Sequence, residues 1–350
     1  MPRADRHWPP WTSGTLFDIE NLTGSAGQDR LTGDAGDSRL DGSGGNDTLI
    51  GLGGSDALLG GVGIDTVDYE GSTACVTVNL VAGIGKGGDA EGDTLTGIEV
   101  VLGSASGDDL AGAADDNSLR GNAGDDILEG GAGRDVLDGG DGLDLAAYRG
   151  GDSINIDLAL GFFSDLVAAD QFNNIEGFIG SDAGGNVLKG DDANNVFLAG
   201  GGQNFFAGRG GDDTLTGGSG VDRMRGGGGS DMISGQDGAD RIDGDAGNDT
   251  LDDGTGKDIL DGGNGNDLLA GGDGRDVFVF SGRTFGQVKV TDFKDGLDII
   301  PLSNAKAPSF ADFAIAGNGT DHVILVIGGQ SIDVHGDQPI SLTSADFSFL

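Results

Sequence analysis

Apolar side chains recur along this chain every nine residues, each flanked by polar positions and preceded by a glycine-rich stretch. From Gly24 the chain reads GSAGQDRLT, GDAGDSRLD, GSGGNDTLI, GLGGSDALL and GGVGIDTVD. A second run from Gly103 reads GSASGDDLA, GAADDNSLR, GNAGDDILE, GGAGRDVLD and GGDGLDLAA, and a third continues from Ser181 through eleven units to Val279. The eighth position is apolar in all 21 units, counting Ala146. The sixth is Asp in 16, Asn in four (Asn117, Asn186, Asn195, Asn204) and Ser at Ser38. A disordered acidic linker would not hold these two positions in phase.

Each unit predicts two elements. The six-residue GGxGxD part is a turn, because glycine tolerates positive φ and lets carbonyls point inward. The three-residue x-U-x part is a minimal strand with one inward apolar residue U. Two units make a coil of 18 residues and place successive U residues on opposed sheets with a thin shared core. In the most regular array that core is Leu215, Met224, Ile233, Ile242, Leu251, Leu260, Leu269 and Phe278. The predicted fold is all-β, a parallel β-roll formed as a right-handed solenoid of GGxGxDxUx nonapeptides.

A longer period lies above the nine. TLFDIENLTGS, TLTGIEVVLGS and QFNNIEGFIGS align on Ile19, Ile98 and Ile175. Between the runs, residues 69–102 and 148–180 are matching β insertions, with alternating strands at Val76–Leu80 and Ile154–Leu158. The organisation is then a partial N-terminal spacer (1–23), arrays at 24–68, 103–147 and 181–279, and a C-terminal cap over 280–350. Nothing like the insertion precedes Thr15, so the first module begins midway and further sequence is expected upstream.

Charge sharpens the picture. There are 59 acidic residues, only six of them Glu, against 19 Lys and Arg, a net charge of −40. That sign excludes a nucleic-acid partner, which needs a basic face, and disfavours anionic membrane surfaces. No apolar run reaches membrane-spanning length, so membrane insertion is not expected. The opening MPRADRHWPPWTSG has no apolar stretch of the signal-peptide kind. No HExxH, GxSxG or P-loop pattern occurs, so no enzyme activity is expected of the chain as it stands. A GxGxxG reading fails because a dinucleotide loop occurs once, between a strand and a helix, not in every repeat.

One apolar side chain per nine residues is too little to offset the backbone entropy of ordering all nine. Calcium resolves the deficit, since it takes six to eight hard oxygen ligands from carboxylates and carbonyls. The expected ligands are the carboxylates of Asp29, Asp47, Asp56, Asp65, Asp108, Asp126, Asp135 and Asp144 in the first two arrays. In the third they are Asp213, Asp222, Asp231, Asp240, Asp249, Asp258, Asp267 and Asp276. Turn glycines join them there: Gly211, Gly218, Gly220, Gly227, Gly229, Gly238, Gly247, Gly254, Gly256, Gly263, Gly265, Gly272 and Gly274. Stacking unit i on unit i+2 allows 15 sites, ten with Asp at both sixth positions, so 10 to 15 Ca²⁺ would cancel 20 to 30 of the 40 negative charges. Ser181, Asn186, Ala193, Asn195, Ala199 and Asn204 weaken the first units of the third array, and Ser106, Asp115 and Asn117 the start of the second.

These repeats resemble those of the RTX (repeats-in-toxin, haemolysin-type) calcium-binding family of Gram-negative bacteria. The resemblance runs over nearly the whole chain from Thr15 and includes the spacer-like GKGGDAEGDTLTGIEVVLGS at 85–104. Residues 275–302 and 340–350 resemble the C-terminal cap and export tail of serralysin-like proteins. It implies a parallel β-roll, Ca²⁺ in the turns, and export through type I secretion machinery using an uncleaved C-terminal signal. The expected function is a secreted, extracellular or surface-associated calcium-binding β-roll that folds on Ca²⁺ after export. The alternative is the C-terminal secretion and folding region of a larger secreted enzyme, such as a metalloprotease, lipase or alginate epimerase. A pore-forming toxin would need a long apolar segment before the repeats, where only 23 residues stand.

The remaining residues carry weaker signals. Glu20, Glu99 and Glu176 recur in matching places and suggest a structural role such as closing the roll edge. HVILVI-GG-QSIDVH reads as a hairpin turning at Gly328–Gly329 that sets His322 opposite His335. Two ligands are too few for zinc, so an exposed pair is expected. Cys75 excludes an intramolecular disulfide framework and is expected to be half-buried. Trp8 and Trp11 point to no ligand.

Overall fold

A computed structural model describes residues 21–163, 170–280, 286–302, 314–327, 330–344 and 346–349. The segment around Ile19, Glu20, the pair Trp8 and Trp11, and the turn at Gly328–Gly329 lie outside the described residues. The described chain is all-β, and its one helical segment is a 3₁₀ turn at Gly88–Ala90. It divides into two compact units, one ending at Tyr148 with 165–177 added, the other comprising 149–164 and 178–350.

In the first unit the x-U-x segments are three-residue strands such as Arg39–Asp41 and Thr48–Ile50. They pair in parallel with an offset of 18 residues, so Leu22 lies beside Leu40 and Leu40 beside Leu58. The opposed sheet aligns Leu31, Leu49, Val67, Val101, Leu119 and Leu137 in one row. The insertion 69–102 does not leave this stack. Its strands Thr94–Thr96 and Val100–Leu102 pair with Ala57–Leu59 and Thr66–Asp68, setting Leu95 on Leu58 and Val101 on Val67. The expected strand at 76–80 forms as Thr77–Asn79, with Val78 beside Leu110. The insertion is thus a lengthened coil with its apolar residues in register.

In the second unit one sheet aligns Ile156, Leu188, Phe206, Met224, Ile242, Leu260 and Phe278. The facing sheet aligns Phe197, Leu215, Ile233, Leu251, Leu269 and Val290. From Leu40 to Phe278 no eighth-position side chain is more than 1% exposed, so the core has the composition the periodicity predicts. Beyond the repeats, Gln287–Val290 adds to the sheet beside Leu268–Ala270. It pairs in turn with Gln330–Ile340, which forms an antiparallel hairpin with Thr320–Ile327. Cys75 departs from expectation and is exposed. It precedes Val76, which faces the core at 1% exposure, and strand alternation turns Cys75 outward.

Candidate metal centres

The sixth-position side chains form a ladder inside each unit. The amide of each sixth residue donates to the carboxylate Oδ1 one coil later: Asp29 to Asp47, Asp47 to Asp65, Asp108 to Asp126, Asp126 to Asp144, at 2.6–2.8 Å. The same bond joins Asp213 to Asp231, Asp231 to Asp249 and Asp249 to Asp267 on one side of the third array. On the other side it joins Asp222 to Asp240, Asp240 to Asp258 and Asp258 to Asp276. Asp56 and Asp135 receive the amides of Ser38 and Asn117. Asp29 is half-buried, and the other predicted carboxylates are at most 3% exposed.

Each of these carboxylates has a second oxygen; in Asp29 and Asp108 it accepts from the amides of Ser25 and Ser104, and in the rest the partners run out. Oδ2 is shielded from solvent and without a hydrogen-bond partner in Asp47, Asp56, Asp65, Asp126, Asp135, Asp144 and in all eight predicted Asp residues of the third array. Fourteen orphaned carboxylate oxygens in repeating positions fit no hydrogen-bonded core, because buried polar groups are almost always paired. They fit bound cations. In seven of them burial is the main cause that drives the carboxyl up, against the opposing pull of the main-chain amide. Asp126, Asp213, Asp240, Asp249 and Asp276 reach about 7, and Asp56 and Asp135 about 6. In Asp126, Asp213, Asp240 and Asp249, stacked sixth-position carboxylates add to the rise.

The turns supply further oxygen. Gly211, Gly218, Gly220, Gly227, Gly229, Gly247, Gly254, Gly263, Gly265 and Gly272 hold positive φ. Gly238, Gly256 and Gly274 do not, yet share the same crowding. A Cβ on Gly265 would lie 1.5 Å from the Gly247 carbonyl oxygen, and one on Gly256 1.9 Å from that of Gly238. Carbonyls of the fourth positions therefore stack coil on coil, which excludes side chains there. Carboxylates and carbonyls together form an all-oxygen donor set suited to Ca²⁺.

Several ladder members escaped the sequence reading. The amides of Asp56 and Asp65 donate to Asp93 Oδ1 and Glu99 Oε2, across separations of 37 and 34 residues. Asp135 and Asp144 repeat this with Asp170 and Glu176, and Asp276 with Asp298. Glu99 and Glu176 thus extend the ladder from within the roll instead of closing its edge. Buried Tyr69 and Tyr148 donate their hydroxyls to Asp93 Oδ2 and Asp170 Oδ2, at 2.8 and 2.7 Å. The matching order of Tyr, Asp and Ile-Glu in both insertions was the available signal.

Asp253 was also missed. The first position is Gly in 18 of 21 units, with Ser181, Ala199 and Asp253 the exceptions. Asp253 is fully buried, neither carboxylate oxygen has a partner, and its ligand atom lies within 4.8 Å of those of Asp240 and Asp258. Burial, reinforced by Asp258 and Asp240, pushes it up to about 9. The Asn units differ in kind. Asn204 Nδ2 donates to the Gly217 and Gly201 carbonyls and Asn186 Nδ2 to Ser181 O, so amide hydrogens occupy oxygens that a cation would otherwise take.

Fold and site together define a β-solenoid repeat protein whose stacked coils carry buried oxygen donors that could hold divalent cations. The family model for the RTX calcium-binding nonapeptide repeat matches residues 18–37, 32–67, 111–146, 180–215, 216–251 and 243–278, more than half of the chain. The chain belongs to this family of calcium-binding repeats. No curated protein matches it. Among solved structures it is similar to the extracellular lipase LipA from Serratia marcescens, at 16% identity and a TM-score of 0.23, covering 73% of this chain and 40% of that one. It is also similar to the AlgE6R3 subunit of the Azotobacter vinelandii mannuronan C5-epimerase, at 31% identity and a TM-score of 0.20, covering 37% of this chain and 78% of that one. The chain spans well under half of the lipase.

Proposed function

We propose that this protein is a secreted, non-catalytic calcium-binding β-roll whose folding is gated by Ca²⁺ after type I export. The observation that carries the gating is the row of buried, unpartnered Oδ2 atoms. Without a cation each is a desolvated charge beside others of its sign; with one it becomes a ligand. Binding free energy then becomes folding free energy. Cytosolic Ca²⁺ is too scarce to load such sites, whereas extracellular Ca²⁺ matches the affinities of about 10⁻⁴–10⁻³ M typical of extracellular modules. An unfolded chain threads through an export channel and folds outside. The export step rests on the resemblance of 340–350 to a type I export tail. We place about ten ions in the coils with Asp at both sixth positions, and none in the coils whose Asn amides already occupy the carbonyls.

Replacing Asp231, Asp249 and Asp267 together with Ala removes one continuous side of the ladder in the third array. Its cooperative Ca²⁺-induced folding should be lost, read by circular dichroism during titration. Folding at the same Ca²⁺ concentration as the parent would show that these carboxylates are not the ligands.

A further inference from the structure

We propose that the C-terminal hairpin carries a metal site chemically distinct from the calcium ladder, in which His322, Asp333 and His335 bind one divalent transition-metal ion of the Zn²⁺ class. His322 and His335 are direct cross-strand partners, with rings stacked at 4.3 Å between centroids and 20° between planes. Asp333 precedes His335 by two residues, so strand alternation puts both on one face. Asp333 Oδ1 lies 2.5 Å from His322 Nε2 and 3.1 Å from His335 Nε2, and one ligand atom from each residue falls within 4.8 Å of the others. The carboxylate supplies the third ligand that the histidine pair alone lacks.

Hydrogen bonding does not account for this convergence. Asp333 Oδ1 and His335 Nε2 are shielded from solvent and meet without hydrogen-bond geometry, each lacking a hydrogen-bond partner. Stacked imidazoles would repel one another if both were protonated, and a neutral ring presenting its lone pair would be repelled by the carboxylate. A cation between the three atoms removes both conflicts. The opposite face of the hairpin holds the ligands in place, since Val323, Leu325, Ile332 and Val334 are at most 1% exposed. The ion can arrive from solvent because His322 is 45% exposed.

Donor chemistry separates this site from the ladder. Two imidazole nitrogens and one carboxylate suit Zn²⁺, Co²⁺, Ni²⁺ or Cu²⁺, whereas Ca²⁺ and Mg²⁺ favour oxygen cages. Three protein ligands leave a tetrahedral ion one open position for water or an external ligand. The bound ion would also cross-link both hairpin strands, one of which pairs with Gln287–Val290 at the end of the roll.

The test is Co²⁺ and Zn²⁺ binding to the full chain in saturating Ca²⁺. One equivalent of Co²⁺ should give the visible absorption of a tetrahedral site and be displaced by one equivalent of Zn²⁺. Losing an outer partner of a metal ligand typically weakens binding by about 10–100-fold. Asp333→Asn and His335→Ala remove ligands themselves and should cost at least about tenfold. The exposed His322→Ala should do the same while keeping the parent's Ca²⁺-loaded spectrum, and so carries the test if His335→Ala does not fold. His7→Ala should change nothing. No Co²⁺ band, or a band that survives in His322→Ala, would overturn the proposal.

Discussion

Asp253 shows how one residue can concentrate the physics of this fold. It places a carboxylate where 18 other units have no side chain at all, and does so beside Asp240 and Asp258. Its folded-state pKa of about 9 lies far above the ordinary carboxylate range. Between the two values the unfolded chain holds fewer protons than the folded one, so Ca²⁺-free stability falls as pH rises. The contribution is complete below about pH 4 and is lost as pH climbs through the folded value, with the ladder residues at about 6–7 acting in the same sense. In EGTA the β signal should therefore grow on acidification from pH 8 towards pH 5. Asp253→Asn should remove the part of that gain above pH 7. The affinity of the folded sites for Ca²⁺ should weaken as pH falls below 7, because cations must displace protons, while the Ca²⁺ needed for folding should not rise, since protons stabilise the same folded state. A pH-independent spectrum in EGTA would contradict this assignment.

At the scale of the element, a coil is held by a core residue, an inner ladder and an outer one. Leu251 sits between Ile233 and Leu269 in its sheet and is 1% exposed. Leu251→Ala should destabilise the Ca²⁺-loaded roll by about 2–5 kcal/mol and raise the Ca²⁺ midpoint of folding. The outer ladder is weaker. Fifth-position Asp or Asn side chains accept from the fifth-position amide one coil later, as Asn248 does from Asn266 at 2.9 Å on the surface. Asn248→Ala should cost only about 0.5–1.5 kcal/mol by the same titration. The core and the stacking of the sixth-position side chains were legible in the sequence because positions six and eight recur in phase within each array. The outer ladder was not, because Asp or Asn fills position five in only eight of 21 units. Nor was the passage of the ladder through the insertions. There the spacing jumps from 18 to 37 and 34 residues, and nothing in a nonapeptide count links Asp56 to Asp93 or Asp65 to Glu99. Asp333 was hidden for a different reason: a lone Asp in a strand gains meaning only when hairpin register brings it to His322 and His335.

For the whole molecule the deciding quantity is a net charge of −40 combined with buried carboxylates that have no protein partner. Most acidic proteins keep such charge on a solvated surface. Here sixth-position carboxylates point inward, at exposures of 3% or less in the regular coils. On the proposed function the fold depends on cations, and family membership in the RTX calcium-binding repeats accords with Ca²⁺ as that cation. The most direct test is far-UV circular dichroism of the full chain from EGTA through millimolar Ca²⁺, with Mg²⁺ in parallel. A cooperative rise in β signal with Ca²⁺ and none with Mg²⁺ is the predicted result. A fully formed β spectrum in EGTA at neutral pH would contradict the calcium-gated fold.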